Sequence, residues 1–298
     1  MERWEQVGRY AGHAAALALS PYLIIKVVLV IGTALGMVPV GEGFSRGGWL
    51  LFNAVTVGMA GVGVALALAL VRPWGNRAPG PLVAFCAWTG SGFLVSILPY
   101  AVLSTLLGAV RGDAAGTSGD DAPALPGWEG ALIQVSFVGT GLGLALALPA
   151  HLRRRWPEVF TGRAGDGDGR VPWAAPVAAV VGLVWLYWAV GGTWGIARPA
   201  ERHIEGHLLT GLGACWALAG SAAVRALARA RPTRLPRQSL LALGWLGSGS
   251  LFAWSGWKLP LTLFVALTHP SDATPPENLA VAAVLHLAAV VAGIGMLR

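Results

Sequence analysis

The chain has 298 residues, of which 55% are hydrophobic and only 12% are charged, whereas soluble domains carry roughly 25% charged residues. This composition excludes an ordinary soluble domain. The net charge of +7 and the pI near 10.2 raise the question of nucleic-acid binding, but no aromatic-basic module accompanies the charge, so we expect no nucleic-acid partner.

Long apolar stretches follow one another along the chain and leave no room for a separate soluble domain. A membrane-spanning helix needs about 20 mostly apolar residues, and membrane strands would give alternating segments of about 10 residues. We therefore predict an all-α fold, a polytopic membrane helix bundle within the lipid bilayer. Its eight transmembrane helices are predicted at Ala11–Val40, Gly48–Val71, Leu82–Val110, Trp128–Ala150, Ala175–Trp194, His207–Ala228, Leu240–Leu267 and Leu279–Leu297.

The first, third and seventh of these predicted helices are unusually long, and each contains a proline: Pro21, Pro99 and Pro260. A straight helix of about 28 residues is about 42 Å long, which exceeds the hydrocarbon core of about 30 Å. Tilt, a proline kink or a protruding end must absorb the excess.

Basic residues alternate between the loops. If the N-terminus is cytoplasmic, 15 of the 21 Lys and Arg residues lie on the cytoplasmic side, which is the positive-inside pattern. We therefore predict that both termini are in the cytoplasm. The outer side then holds Arg46, Arg111, Arg198 and Arg202.

Short matches indicate internal repetition. Gly61–Leu68 in the second helix and Gly141–Leu148 in the fourth are identical at six of eight positions. Trp88-Thr-Gly-Ser-Gly92 in the third helix resembles Trp245-Leu-Gly-Ser-Gly249 in the seventh. The matches predict four related two-helix hairpins within one membrane domain, and chance matches in a chain rich in small apolar residues are the alternative. The hairpins would span residues 1–80, 81–160, 161–235 and 236–298.

Three ionisable residues fall within the predicted helices: Lys26, Lys258 and His286. A charge at the centre of a membrane helix costs about 2.5–3.5 kcal/mol on insertion scales. No carboxylate lies well inside a predicted helix to pair with the lysines. Each lysine can therefore be neutral through desolvation, snorkel to an interface, make a structural hydrogen bond, or line a cavity that receives an anion.

Aromatic residues accompany both lysines. Lys26 follows Tyr22 by about one helical turn, which puts both on one helix face. Lys258 lies beside Trp254 and Trp257. Neutral hydrogen-bond partners for the lysines are expected among Asn53, Gln134 and Ser104.

A second polar cluster opens the sixth predicted helix. His203 and His207 are four residues apart, a spacing that places two rings on one helix face and suits a divalent metal. Glu205 lies between them, although in the zinc-protease motif Glu directly follows the first His. On the same side of the membrane, Glu201, His269 and Asp272 are further candidate ligands. The alternative is a polar start to an interfacial helix, and no cofactor is strongly implied.

Two motifs resemble those of a loose group of uncharacterised multi-pass membrane proteins from high-GC actinobacteria. They are Pro21-Tyr-Leu-Ile-Ile-Lys26 and Tyr187-Trp-Ala-Val-Gly-Gly-Thr-Trp-Gly195. The likeness extends over most of the chain through its repeats, but the fifth helix departs from it with Trp185 where Lys26 would align. The resemblance implies an architecture and a location in a bacterial plasma membrane, but no site.

Three functional hypotheses follow from the sequence. The first is a protein that binds or moves a lipid or a small lipophilic or anionic molecule within the bundle. The second is a membrane-embedded enzyme acting on a lipid or isoprenoid at the outer face, assisted by a metal at His203, Glu205 and His207. The third is a scaffold, for a membrane partner or a homo-oligomer. The ligand-binding candidates are Tyr22, Lys26, Trp254, Trp257, Lys258 and His286.

Overall fold

The structure is a computed structural model that describes residues 2–40, 45–111, 127–155, 172–229, 236–268 and 276–297. Within these ranges the chain forms eight α-helices and no β-strand, which confirms the predicted all-α fold and the number of helices. They are α1 (Glu2–Ala34), α2 (Arg46–Ala69), α3 (Gly80–Arg111), α4 (Gly127–Arg155), α5 (Ala174–Ala189), α6 (Ile204–Ala228), α7 (Arg237–Thr268) and α8 (Leu279–Gly295).

Six of the described helices are long and apolar enough to cross a membrane: α1, α2, α3, α4, α6 and α7. The other two are apolar but shorter, with 16 residues in α5 and 17 in α8. At 1.5 Å per residue they reach about 24–26 Å, less than the thickness of a typical hydrocarbon core, about 30 Å. The chain therefore has the helices of a multi-pass membrane protein, two of them too short to span a typical core unaided.

The predicted extension of the fifth helix to Trp194 is wrong. α5 ends at Ala189, and the chain then turns through Gly191 and Gly195, whose φ angles are 97° and 80°. Glycine adopts this left-handed conformation without the steric cost that other residues meet. An apolar run that continues past these glycines therefore does not continue the helix.

The boundaries of the first helix also differ from the prediction. α1 begins at Glu2 and ends at Ala34, rather than running from Ala11 to Val40, and Gly36 has a φ of 75°. Arg46 covers this helix end, because its Nη2 donates to the carbonyl oxygen of Ala34 at 2.8 Å. A cation at the C-terminal carbonyls of a helix is favourable for the helix dipole.

The long helices continue through their prolines, as predicted. α1 has 33 residues, and α3 and α7 have 32 each. Pro21, Pro99 and Pro260 lie inside these helices. Each proline removes one backbone hydrogen bond from its helix.

The described chain divides into two compact units. The first comprises Met1–Ala87 and Ala101–Arg155. Here α1 packs against both α2 and α4. Small residues allow the close approach of α1 and α4, since a Cβ atom on Gly143 would lie 2.6 Å from the carbonyl oxygen of Ala11, and such packing is typical of membrane helices.

The second unit comprises Trp88–Tyr100 and Trp156–Arg298. In it α5, α6, α7 and α8 form a ring in which each helix packs against two others. Buried alanine and tryptophan side chains fill its core, including Trp185 and Trp188 at 4% and 3% exposure. The predicted four-hairpin repeat stays a prediction, as does the cytoplasmic location of the termini.

Candidate functional site

In the first unit, α1 and α2 bring Lys26 to a buried amide. The Lys26 ammonium donates a hydrogen bond to Asn53 Oδ1 at 2.9 Å, and Asn53 is 1% exposed. The amide nitrogen of Asn53 in turn donates to the carbonyl oxygen of Trp49 at 2.9 Å, which fixes the direction of the amide. Asn53 is thus one of the neutral partners that the sequence suggested.

An aromatic ring lies beside the same lysine. Lys26 Nζ is 5.8 Å from the centroid of the Tyr22 ring, within the range of a cation–π interaction. Tyr22 is buried and contacts Phe137, with 5.2 Å between the ring centroids. Of the other proposed partners, Ser104 donates to the Ala101 carbonyl oxygen within its own helix, and the Gln134 side chain lies outside the described part of the chain.

In the second unit, Lys258 occupies a comparable position in α7. Its Nζ is 5.7 Å from the centroid of the Trp254 ring, and the residue is half-buried. Among the described residues no carboxylate pairs with this ammonium and no acceptor takes a hydrogen bond from it. Trp257, the other expected neighbour, is 41% exposed.

His286 on α8 adds a polar group to this region. Its Nδ1 is 3.1 Å from the hydroxyl of Ser255, which is fully buried, and its ring packs against Trp185 with 6.1 Å between centroids. The charge of Lys258 acts on this imidazole. We call Trp254, Ser255, Lys258 and His286 the Lys258 cluster.

The two histidines at the start of α6 differ in backbone conformation. His203 is the N-cap residue, with an extended backbone at φ −78° and ψ 167°, so only His207 is inside the helix. His207 Nδ1 lies 3.1 Å from the carbonyl oxygen of Trp188 and 3.2 Å from that of Ala189. With its proton on Nδ1, His207 caps the C-terminus of α5, the kind of helix end that favours a histidine.

No metal site forms around these residues within the described ranges. The part of the chain that the structure describes contains no group of three or more His, Cys, Asp or Glu side chains that could hold a metal ion. Glu205 lies in the first turn of α6, and His269 and Asp272 lie outside the described residues. Metal binding at His203, Glu205 and His207 stays a prediction from spacing.

Arg202, which the sequence marked only as an outer basic residue, makes the most unusual contacts at this end of α6. Its guanidinium lies 5.7 Å from the centroid of the Trp188 ring. Its Nη2 donates to the Gly206 carbonyl oxygen at 3.2 Å and to the Thr210 hydroxyl at 2.8 Å. Its Nε and Nη1 are buried and have no hydrogen-bond partner among the described residues. Burial lowers the pKa of Arg202, and the charge of Glu277 opposes that shift.

The repeated tryptophan motifs contact each other, which the sequence did not predict. Trp88 Nε1 on α3 donates to the Ser248 hydroxyl on α7 at 3.0 Å. Reciprocally, Trp245 Nε1 on α7 donates to the Ser91 hydroxyl on α3 at 3.2 Å. In each Trp-x-Gly-Ser-Gly motif, the tryptophan therefore donates a hydrogen bond to the serine of the other motif, and the serine accepts one from the other tryptophan.

Glycines in the same motifs let the two helices approach closely. A Cβ atom on Gly249 would lie 2.7 Å from the carbonyl oxygen of Trp88. We call this contact between α3 and α7 the seam. Farther along it, the buried hydroxyls of Ser96 and Ser250 are 2.8 Å apart. The seam joins neutral groups that satisfy one another, which is the arrangement of a structural contact.

An open apolar groove lies on α5 and the turn that follows it. It has a volume of about 380 Å³ and is lined by Val180, Leu183, Val184, Tyr187 and Trp194. The turn is fixed by Trp188, whose Nε1 donates to the Trp194 carbonyl oxygen at 2.7 Å.

Comparisons with known proteins return no relative: no protein-family model, no curated protein and no solved structure matches the chain. What the protein binds is therefore inferred from its own charged side chains and from the groups around them.

Proposed function

We propose that this multi-pass membrane protein binds a lipophilic anion, a molecule with an apolar chain and a carboxylate or phosphate group, at the Lys258 cluster. One observation carries the proposal. Lys258 lies in a helix that is apolar and long enough to cross a membrane, and its ammonium has no carboxylate or hydrogen-bond acceptor among the described residues. Because ionisable groups are costly at membrane depth, they commonly mark functional sites there.

The neighbours of Lys258 suit such a ligand. The Trp254 ring presents an apolar face next to the ammonium, so one molecule can place its chain on the indole and its anionic group on the lysine. The Ser255 hydroxyl can donate to Nδ1 of His286, which leaves the imidazole proton on Nε2. In that tautomer Nε2 is a second donor for the anionic group.

The remaining parts of the proposal concern orientation. The excess of basic residues in alternate loops supports cytoplasmic termini. The metal-assisted form of the enzyme hypothesis has no comparable support, since the described residues contain no group of three metal ligands.

Binding of a brominated fatty acid tests the proposal. The protein is placed in zwitterionic nanodiscs, and saturable quenching of tryptophan fluorescence is measured for the wild type, Lys258→Met and Lys26→Met. Loss of a charge-assisted hydrogen bond costs about 1.5–3 kcal/mol, so Lys258→Met should weaken binding at least about tenfold. Lys26→Met is the matched control, since it also removes a lysine four residues after an aromatic ring.

The control variant should bind the fatty acid as the wild type does. Equal affinities for the wild type and Lys258→Met would overturn the proposal, as would a wild type with no saturable quenching. Competition with phosphatidylglycerol then separates a preference for phosphate from a preference for carboxylate.

A further inference from the structure

We infer that the guanidinium of Arg202 forms a second binding site, for a phosphate oxyanion, at the end of the second unit where α5 ends and α6 begins. This site is separate from the Lys258 cluster and does not depend on it. We call Trp188, Arg202, Gly206 and Thr210 the Arg202 site.

One of the three guanidinium nitrogens, Nη2, makes the hydrogen bonds that hold Arg202 in place. Nη2 is bonded to the Gly206 carbonyl oxygen and the Thr210 hydroxyl, and the Trp188 indole supports the guanidinium. Nε and Nη1 keep N–H groups that have no acceptor among the described residues. Buried donors of a charged group are costly when they lack an acceptor, and arginine is the residue best suited to bind phosphate oxygens.

Carboxylates near Arg202 do not neutralise it within the described residues. Glu277 is close enough for its charge to act on the guanidinium, but the ion pair found in the described chain joins Arg198 to Glu201, at 3.0 Å. Arg202 thus keeps a net positive charge, whereas the neighbouring Arg198 is exposed and paired. This difference makes Arg198 a matched control for the same loop.

The position of the site favours the phosphate of a lipid headgroup as the source. α5 has 16 residues, about 24 Å, so in a hydrocarbon core of about 30 Å at least one end lies below the headgroups or draws them inward. The Trp188 indole that supports Arg202 also holds the carbonyl of Trp194, whose side chain lines the apolar groove. An acyl chain in this groove and a phosphate on Arg202 would therefore both lie next to the turn that Trp188 fixes.

The test uses two probes and removes the Lys258 cluster from the readout. All proteins carry Lys258→Met and are placed in nanodiscs of phosphatidylcholine, with or without phosphatidylglycerol. Native mass spectrometry measures retained phosphatidylglycerol, and thermal unfolding in pure phosphatidylcholine measures stabilisation by inorganic phosphate. The variants are Arg202→Gln, Arg198→Gln and Glu277→Gln.

We expect preferential retention of phosphatidylglycerol, at least about tenfold weaker in Arg202→Gln because charge-assisted hydrogen bonds are lost. Arg198→Gln should behave as its parent, and Glu277→Gln should retain the lipid more strongly because a competing negative charge is removed. Stabilisation by inorganic phosphate without lipid preference would identify a free anion as the source.

Two results would overturn the inference. One is a parent protein that neither prefers phosphatidylglycerol nor is stabilised by phosphate. This result can be obtained even if Arg202→Gln does not fold. The other is equal binding by Arg202→Gln and Arg198→Gln. Neither result bears on fatty-acid binding at Lys258, which is measured separately in the protein that keeps this lysine.

Discussion

The two units each place a lysine in a long apolar helix, four residues after an aromatic ring. The ammonium-to-ring distances are nearly equal, 5.8 Å for Lys26 on Tyr22 and 5.7 Å for Lys258 on Trp254. The difference lies in the neighbouring helix. α2 presents the amide oxygen of Asn53 to Lys26, whereas α8 presents His286, whose Nδ1 is already engaged by Ser255.

The comparison shows that the local aromatic–lysine pair does not decide the role of a membrane lysine. A ring four residues earlier positions the ammonium and contributes a modest cation–π attraction. The partner on the next helix determines whether the charge is used within the fold. We therefore assign Lys26 to structure on its bond to Asn53, whereas ligand binding by Lys258 is our proposal, and the following changes test this distinction.

The largest effect is expected for Asn53→Leu. It removes the acceptor of a charged donor in the first unit, which should lower the free energy of unfolding by about 2–3 kcal/mol. Reversible unfolding in mixed detergent micelles measures the change. In a double-mutant cycle with Lys26→Met, the double variant should recover much of the loss, because replacing both members of a buried polar pair is often nearly neutral.

A cycle with no coupling between positions 26 and 53 would contradict the structural assignment of Lys26. The same cycle also gives the change in free energy of unfolding for Lys26→Met, which is compared below with that for Lys258→Met.

Trp88→Phe should have the next largest effect, in the seam of the second unit. It removes the hydrogen bond to Ser248 and part of a side chain that is 2% exposed, which together should cost about 1–2 kcal/mol. Trp245→Phe should cost a similar amount, since its bond to Ser91 is the reciprocal one. Trp173→Phe is the control, because Trp173 is 59% exposed and its change should stay near zero in the same unfolding assay.

The sequence predicted the helices better than their contacts. Apolar length alone located eight helices, because a membrane helix satisfies its own backbone and needs no partner to be recognised. It failed at the end of α5, where Gly191 and Gly195 turn the chain although the residues around them are apolar. Glycine is more frequent inside membrane helices than in soluble ones, so composition does not distinguish a glycine that packs from a glycine that ends a helix.

Contacts between helices were predictable only where a polar group had few alternatives. Asn53 was among three expected partners of the lysines, because buried amides are rare in these helices and must find a hydrogen bond. The contact between Trp88 and Ser248 was not predicted, although both motifs had been recognised as similar, because similarity between two helices does not reveal that they touch. Arg202 was missed because its burial depends on how α5 and α6 meet.

Ser255→Ala should have a smaller effect than the tryptophan change. It leaves Nδ1 of His286 without the hydroxyl at 3.1 Å and should destabilise the protein by about 1 kcal/mol. Ser20→Ala is the matched control, since among the described residues the Ser20 hydroxyl bonds to the Ala16 carbonyl oxygen of its own helix. A cost for Ser255→Ala no greater than that of the control would show that His286 does not depend on this bond.

The smallest effect on stability is expected for Lys258→Met, and it separates the two lysines most sharply. The ammonium makes no hydrogen bond with the described residues, and methionine keeps the packing of the side-chain stem while removing the cost of a charge at membrane depth. The free energy of unfolding, measured without added fatty acid, should therefore fall by no more than about 0.5 kcal/mol. Lys26→Met should be clearly destabilising in the same assay, because it leaves the buried Oδ1 of Asn53 without its donor. If both variants lose the same stability, Lys258 has a structural partner as Lys26 does, and its availability to a lipophilic anion no longer follows from its position.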